Sequence, residues 1–348
     1  MNNKNHNKRT VISWEITQDC NLDCLFCGVK NLKNEPDWID KHYLQMEDIL
    51  TYGAQLRDVI NGELMIFFTG GEPFIRDDFL QIAKKFKTDY HMTVACNTNG
   101  TLLDQYDYGE LCDVFSVMIF SIDGISNTHD YLRNTNGTYK KVVDNIRKLD
   151  ERRKSKNSDL QIWTNTVLTS KNIGQIRPLL DLFVSLGVDR AQFRPMQYDP
   201  RTVLYQELGL HAEHLDTLKN FTIIKEEYSS KIIVDIDEIY LNRIIDYVKN
   251  WGNIWGNIIY LKNCRCGLDF FFIDSFDRAY PCCSFFPRTL SNSISLDVAI
   301  SLLKQQTLSE TFNRIRKENV PNSCTRCLDV YAHRVQGKEL DELIKKKR

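Results

Sequence analysis

Two hydrophobic periods take turns along the first 195 positions. Short, mostly apolar runs at 11–17, 64–68, 91–96, 114–122, 160–168 and 189–194 predict strands. Between them, 45–60, 76–88, 101–110, 138–154 and 173–187 predict helices. The last is the clearest, with Ile173, Ile176, Leu179, Leu180, Phe183 and Leu186 at helical spacing and Gly187 closing the run. Strands alternating with helices predict parallel β/α units. Six units predict an α/β fold, a partial (β/α)6 TIM-like barrel, with its chemistry at the C-terminal ends of the strands.

The pattern changes after residue 200. Residues 1–10 read as a disordered Asn/Lys-rich tail and 11–200 as the barrel. Residues 201–260 read as a helical connector carrying Trp251-Gly252 and Trp255-Gly256. Six of the eleven cysteines fall in 261–334, which is expected to be a small α+β second domain. Residues 335–348 read as a basic helix ending in Lys345-Lys346-Lys347-Arg348, charges that suit a helix C-terminus.

Charge adds little. The 45 basic and 46 acidic residues nearly cancel, so bulk electrostatics predict neither nucleic-acid nor membrane-surface binding. The first residues are polar, and no apolar run approaches the roughly 20 residues of a membrane span. A cytoplasmic location is expected, and there eleven cysteines are better explained by metal sites than by disulfides.

Cys20-Asn21-Leu22-Asp23-Cys24-Leu25-Phe26-Cys27 places three thiols directly after the first predicted strand. Three such thiols can hold three irons of a [4Fe–4S] cube and leave the fourth iron open to a small molecule. The alternative is a zinc knuckle, which would require a fourth ligand close by. Two further patterns follow strands: Thr69-Gly70-Gly71-Glu72-Pro73, and Ser121-Ile122-Asp123-Gly124. Either alone could be a strand-to-helix turn.

Together, in this order, the three patterns resemble the radical S-adenosylmethionine (SAM) superfamily over roughly residues 10–200. The resemblance implies a SAM-binding [4Fe–4S] cluster on Cys20, Cys24 and Cys27, with Phe26 against the adenine. It implies Gly70, Gly71 and Glu72 at the methionyl ammonium, and Ser121 and Arg133 at the SAM carboxylate, an anion that a guanidinium fork suits. Asn97, Asn99 and Asn165 lie at or near strand ends as candidates for ribose or substrate. Cys96 is a candidate hydrogen donor to a substrate radical, against the commoner role of a small buried apolar residue.

The second cysteine group, Cys264, Cys282, Cys324 and Cys327, resembles the SPASM/twitch extension of such enzymes. There a C-x-x-G start (Cys264 to Gly267) and a Tyr-Pro-Cys end (Tyr280 to Cys282) frame a β-hairpin feeding an auxiliary [4Fe–4S] cluster. Phe270 to Ile273 supply the hairpin strand, and Asp277 stands where glycine is usual. No cysteine follows Cys327, which favours the one-cluster twitch form, similar to aminocyclitol dehydrogenases. Cys266 or Cys283 could replace Cys264 or Cys282, and a four-cysteine zinc site is the alternative.

The expected function is reductive cleavage of SAM and abstraction of a hydrogen from an unactivated C–H. The favoured outcome is oxidation, crosslinking or epimerisation of a ribosomal natural-product peptide. A sugar or aminocyclitol dehydrogenase is the second expectation, and a non-catalytic iron–sulfur or zinc scaffold the third. The expected partners are a flavodoxin- or ferredoxin-type electron donor and, since only 19 residues precede Cys20, a separate leader-recognition protein. Asp123, Asp199, Asp274 and Asp277 are candidates for a general base.

Overall fold

The computed structural model describes residues 9–29, 43–196, 202–249, 269–282 and 293–323. Six parallel strands run in chain order: β1 (Thr10–Thr17), β2 (Leu64–Gly70), β3 (Thr93–Thr98), β4 (Val117–Ser121), β5 (Gln161–Leu168) and β6 (Arg190–Pro195). The helices between them are α1 (Met46–Val59), α2 (Phe79–Thr88), α3 (Tyr108–Val114), α4 (Asn127–Leu132), α5 (Thr138–Ser155) and α6 (Ile176–Ser185). This is the partial barrel expected from the alternating periods.

One predicted helix divides. Within 101–110 a single 3-10 turn, Leu103–Gln105, is followed by α3, which starts only at Tyr108. Asp107 sets that start: its carboxylate accepts the Glu110 N–H at 2.8 Å, as an N-cap does. The helix then runs through Val114, so β4 begins three residues later than its apolar pattern implied.

The segment expected to be a helical connector holds α7 (Val203–Leu208), α8 (Leu215–Lys219), α9 (Phe221–Tyr228) and α10 (Glu238–Lys249). It also holds a seventh parallel strand, β7 (Ile233–Asp235), paired with β6. Three residues are too few to show a period, which is why it escaped the sequence pattern. Beyond it, β8 (Phe270–Ile273) and β9 (Arg278–Tyr280) form the expected antiparallel hairpin, followed by β10 (Ile294–Ser295), α11 (Leu296–Lys304) and α12 (Leu308–Ser323). β8 also lies parallel to β1, in register from Val11 with Phe270 to Trp14 with Ile273. The strands therefore make one sheet in the order β10-β9-β8-β1-β2-β3-β4-β5-β6-β7.

The pleat sorts side chains to two faces. The helix-facing side carries the main core, where Trp14 and Phe68 meet Phe86 edge-on at 5.9 and 5.3 Å. On the opposite face Phe67, Ala95, Val117, Ile119 and Trp163 form a second apolar cluster of strand residues alone, which marks the barrel interior. Among the described residues no helix is long and apolar enough to cross a membrane.

Candidate active site at the C-terminal mouth of the barrel

Cys20, Cys24 and Cys27 sit on the loop that leaves β1, at the C-terminal end of the sheet. The β2 turn holds the near end of this loop. Gly71 N donates to Thr17 O and Glu72 N to Asp19 O, both at 2.8 Å. The approach is so close that a Cβ on Gly70 would stand 2.0 Å from Thr17 O, and one on Gly71 2.1 Å from Asp19 O. Gly70 also has φ +138°, a region that L side chains rarely adopt. The glycines thus serve close packing of one main chain on another.

Glu72 is fully buried and turned toward β3. Its carboxylate accepts Thr98 Oγ1 at 2.8 Å, Asn99 N at 2.6 Å and Phe74 N at 3.2 Å. Burial pushes its pKa up to about 7, the three donors offsetting part of that cost. Asn99 continues the chain of contacts, with Nδ2 donating to Asn21 Oδ1 at 2.9 Å and standing 3.9 Å from Cys20 Sγ. Asn21 in turn donates to Thr101 Oγ1 at 2.9 Å.

Side chains of the β4 motif hold the far end. Arg133, just beyond α4, is buried and donates through Nη1 to Cys24 Sγ at 3.5 Å. Its other terminal nitrogen pairs with the fully buried Asp123 carboxylate, and its guanidinium lies 5.8 Å from the Phe26 ring centroid. Burial lowers the Arg133 pKa, but Asp123 and Cys24 more than reverse this and the net shift is upward. Burial raises Asp123, against the pull of Arg133 and the Val167 N–H that its carboxylate accepts at 2.7 Å. Asp123 is an ion-pair partner here, so its candidacy as general base is not taken up. His129 accepts the Asp123 N–H at Nδ1, 3.1 Å away, and burial drives its pKa down to about 3.

Burial lifts the Cys20 thiol to about 11 and raises Cys24 as well, and the neighbouring thiols push both in the same direction. Such thiols ionise when iron takes up their charge, because metal ligation deprotonates cysteine. Among the described residues no three His, Cys, Asp or Glu side chains close on a single ion. Three thiols on one loop, with no fourth protein ligand beside them in sequence, are the donor set of a [4Fe–4S] cube with one open iron, so the donor set suits a cluster.

Inside the mouth, polar side chains follow the apolar layer. Ser121, Asn165, Gln192 and Asp235 are matched in register across four strands, with Asn97 at the end of β3 and Arg194 one step further along β6. The buried Asn165 Oδ1 has no hydrogen-bond partner among the described residues. Asp235 takes Arg190 Nη1 and Gln192 Nε2, each at 3.2 Å, and Arg190 stacks 4.6 Å from the Trp163 ring. On β1 the buried Glu15 accepts Gln18 Nε2 at 2.6 Å and Ser275 Oγ at 3.0 Å. Gln192 and Arg194 were missed as site residues, although the polar–apolar alternation of Arg190-Ala191-Gln192-Phe193-Arg194 signals one polar face. Asp235 had no such signal.

Cys96 lies elsewhere. It alternates with Ala95, which faces the interior, and is fully buried on the helix side with Phe68 and Met118 in register. Burial and Glu72 hold its pKa well above the ordinary thiol value. A side chain on that face does not reach a substrate in the mouth, so the hydrogen-donor role is withdrawn.

Asp274 is also committed, accepting Phe276 N, Arg278 N and Tyr280 Oη at 2.9, 3.0 and 2.9 Å. Asp277 takes the left-handed turn conformation, φ +75°, where glycine is usual. Cys282 is half-buried just past β9. Cys264, Cys266, Cys283, Cys324, Cys327 and Asp199 lie outside the described residues.

A family model described as the radical SAM superfamily matches residues 14–183, the stretch that carries all three motifs. These residues are a radical SAM domain. Its sequence relatives include the Fe-coproporphyrin III synthase of Methanosarcina barkeri, 25% identical over 198 residues, 56% of this chain and 46% of that one. The AdoMet-dependent heme synthase of the same organism is 24% identical over 283 residues, 79% of this chain and 77% of that one. The mycofactocin maturase MftC of Mycolicibacterium smegmatis is 22% identical over 325 residues, 91% and 74% of the two chains. The match thus spans about half of the first relative and about three quarters of the other two.

Solved structures share the fold. Streptococcus suis SuiB bound to its precursor peptide SuiA is 14% identical with TM-score 0.63, covering 89% of this chain and 67% of that one. Native anSMEcpe with bound AdoMet and the Cp18Cys peptide is 17% identical with TM-score 0.62, covering 87% of this chain and 82% of that one. A radical SAM domain implies SAM and a [4Fe–4S] cluster, and the three thiols beyond β1 fit that group.

Proposed function

We propose that this chain is a radical SAM enzyme that removes a hydrogen from an unactivated C–H of a ribosomal peptide, oxidising, crosslinking or epimerising it. When bound, the cluster and SAM supply the 5′-deoxyadenosyl radical that takes the hydrogen. Cys20, Cys24 and Cys27 would hold three irons, with Phe26 against the adenine and Ser121 and Arg133 toward the SAM carboxylate. Glu72 braces the GGE turn from within. Through that turn it would place the backbone groups of Gly70 and Gly71 at the methionyl ammonium.

The observation that carries the reading is the convergence of the motifs from β1, β2 and β4 on one loop at the barrel mouth. The peptide reading rests on the amide and hydroxyl groups of Asn97, Ser121, Asn165 and Gln192. These side chains are suited to the alternating donors and acceptors of a main chain. SuiB and anSMEcpe, which share the fold, carry peptides in their structures, and MftC is a maturase. Cys282, at the end of the β8–β9 hairpin, would join Cys264, Cys324 and Cys327 around an auxiliary [4Fe–4S] cluster that accepts an electron from the product radical. A flavodoxin or ferredoxin would reduce the first cluster, and a separate protein would present the peptide leader.

The test is anaerobic reconstitution with iron, sulfide, SAM and dithionite. Formation of 5′-deoxyadenosine is expected, and none from a protein with an intact cluster would leave the scaffold reading. Short open reading frames beside the gene then supply peptides to assay by mass spectrometry. A two-hydrogen mass loss or a D-residue supports the peptide reading. Aminotransferase and glycosyltransferase genes there, with no such peptide, would overturn it in favour of a sugar or aminocyclitol.

A further inference from the structure

We propose that Asp123 and Arg133 form a paired electrostatic mount for Cys24: the carboxylate fixes the guanidinium, and the guanidinium hydrogen-bonds the Cys24 sulfur and sets the reduction potential of the cluster that sulfur holds. This rests on the reading of Cys20, Cys24 and Cys27 as cluster ligands.

The geometry is specific to the far end of the loop. Leu25 N donates to Leu132 O at 3.0 Å, which stitches the cysteine loop to the end of α4 where Arg133 begins. Arg133 N donates to His129 O at 2.9 Å, so the backbone that launches the side chain is fixed. From there Nη1 reaches Cys24 Sγ at 3.5 Å, while Nη2 pairs with Asp123 and the plane lies near Phe26. Asp123 has little freedom of its own: one oxygen accepts Val167 N from β5 at 2.7 Å, and its N–H is held by His129 Nδ1 at 3.1 Å. Each terminal nitrogen of Arg133 thus has a partner in the protein. Nε has no hydrogen-bond partner among the described residues and is a donor open to a bound carboxylate.

Hydrogen bonds to cluster sulfurs and nearby charge are two of the levers by which proteins move iron–sulfur potentials. Both act here in a buried setting, where screening is weak. The guanidinium favours the reduced, more negative cluster and raises the potential. Asp123 tempers that charge while keeping the donor aimed at sulfur. Asp123 and Arg133 are positioning residues in this respect, acting on the cluster through Cys24.

The experiment is an EPR-monitored redox titration of the reconstituted full chain without SAM, following the [4Fe–4S]+ signal that is lost when Cys20, Cys24 and Cys27 are all replaced by Ala. Arg133→Gln removes the charge and shortens the side chain that carries the donor, and is expected to lower the reduced fraction about tenfold at a fixed poise, equivalent to about 59 mV for one electron. Asp123→Asn leaves the guanidinium uncompensated and is expected to move the potential the opposite way. A merely structural role would not separate the two by sign. Shifts of the same sign, or none, in variants that keep this signal would overturn the proposal alone. A wild-type chain without this signal would overturn the cluster reading and this proposal together. If either single variant fails to fold, the double variant Asp123→Asn/Arg133→Gln, which leaves no unpaired buried charge, decides. A potential below wild type supports the mount, and one equal to wild type overturns it.

Discussion

The two ends of the cysteine loop are held by different physics. At the near end, main chain meets main chain: Gly71 and Glu72 donate to Thr17 and Asp19 across a gap that admits no Cβ. At the far end, a buried ion pair and a side-chain donor grip Cys24. Backbone contacts fix position and offer nothing to adjust except by a clash. Charged side chains fix position and also project a field, so one end of the loop is a fixed anchor and the other is adjustable. Among the described residues, the chemistry of the first site is placed by the first end and tuned by the second.

Removing what both ends hold should have the largest effect. Cys20, Cys24 and Cys27 all replaced by Ala should abolish 5′-deoxyadenosine formation and leave about half the iron, since one thiolate-held cube should remain. Iron at zero in a folded variant would rule out the auxiliary cluster. Next, Arg133→Gln breaks the adjustable end and strands Asp123 in the interior. A loss of roughly 3–5 kcal/mol in denaturant unfolding of the apo chain is expected, with partial recovery in the Asp123→Asn/Arg133→Gln double variant.

Glu72 adds a pH dependence to the anchored end. Its folded pKa of about 7 lies above its ordinary value of 4.5, so the folded chain binds this proton more tightly than the unfolded one. Its contribution is fully present below about pH 4.5 and is lost as pH rises through about 7, by at most about 3 kcal/mol. Unfolding of wild type and Glu72→Gln at about pH 5 and about pH 8 should show wild type losing ground to the variant as pH rises. A constant difference would mean that its three donors keep the carboxylate ionised throughout.

Gly71→Ala forces a methyl group against Asp19 O and should cost about 1–3 kcal/mol and most of the cluster. Gly174→Ala, where a Cβ meets nothing within 4 Å, serves as the tolerant control. The smallest effect should be Asn99→Ala, about 1 kcal/mol, read as faster iron loss to a chelator because Asn21 loses its tie. Equal iron loss with and without Asn99 would confine the anchor to the glycines.

Much of the frame could be read from the chain because periodicity and glycine placement are local. Six strands and their helices followed from alternating periods, and Gly70 and Gly71 announced a close approach. What the approach was to, the backbone of residues 17–19, depends on how β1 and β2 align, and no local pattern encodes that alignment. The direction of Cys96 turned on one residue of strand phase: with Ala95 inside, Cys96 is outside. The engagement of Arg133 with Asp123 and Cys24 joins side chains 109 residues apart at the widest, a distance that spacing does not reveal. Cys282 is the single described member of its expected ligand set, and the hairpin before it was visible in Phe270 to Ile273 and the Asp-rich turn.

The alignment of β8 with β1 has a consequence for how this protein can be dissected. β1 is hydrogen-bonded on both flanks, to β2 and to β8, and carries Ile12, Trp14 and Ile16 fully in the core. A fragment ending near residue 260 would retain the whole radical SAM match yet strip one flank of that strand. Its unpaired amides and carbonyls would form an open sheet edge, a template for joining another chain. The radical SAM barrel is thus not a separable cassette: it borrows its outer seam from sequence that lies more than 250 residues downstream of the strand it protects.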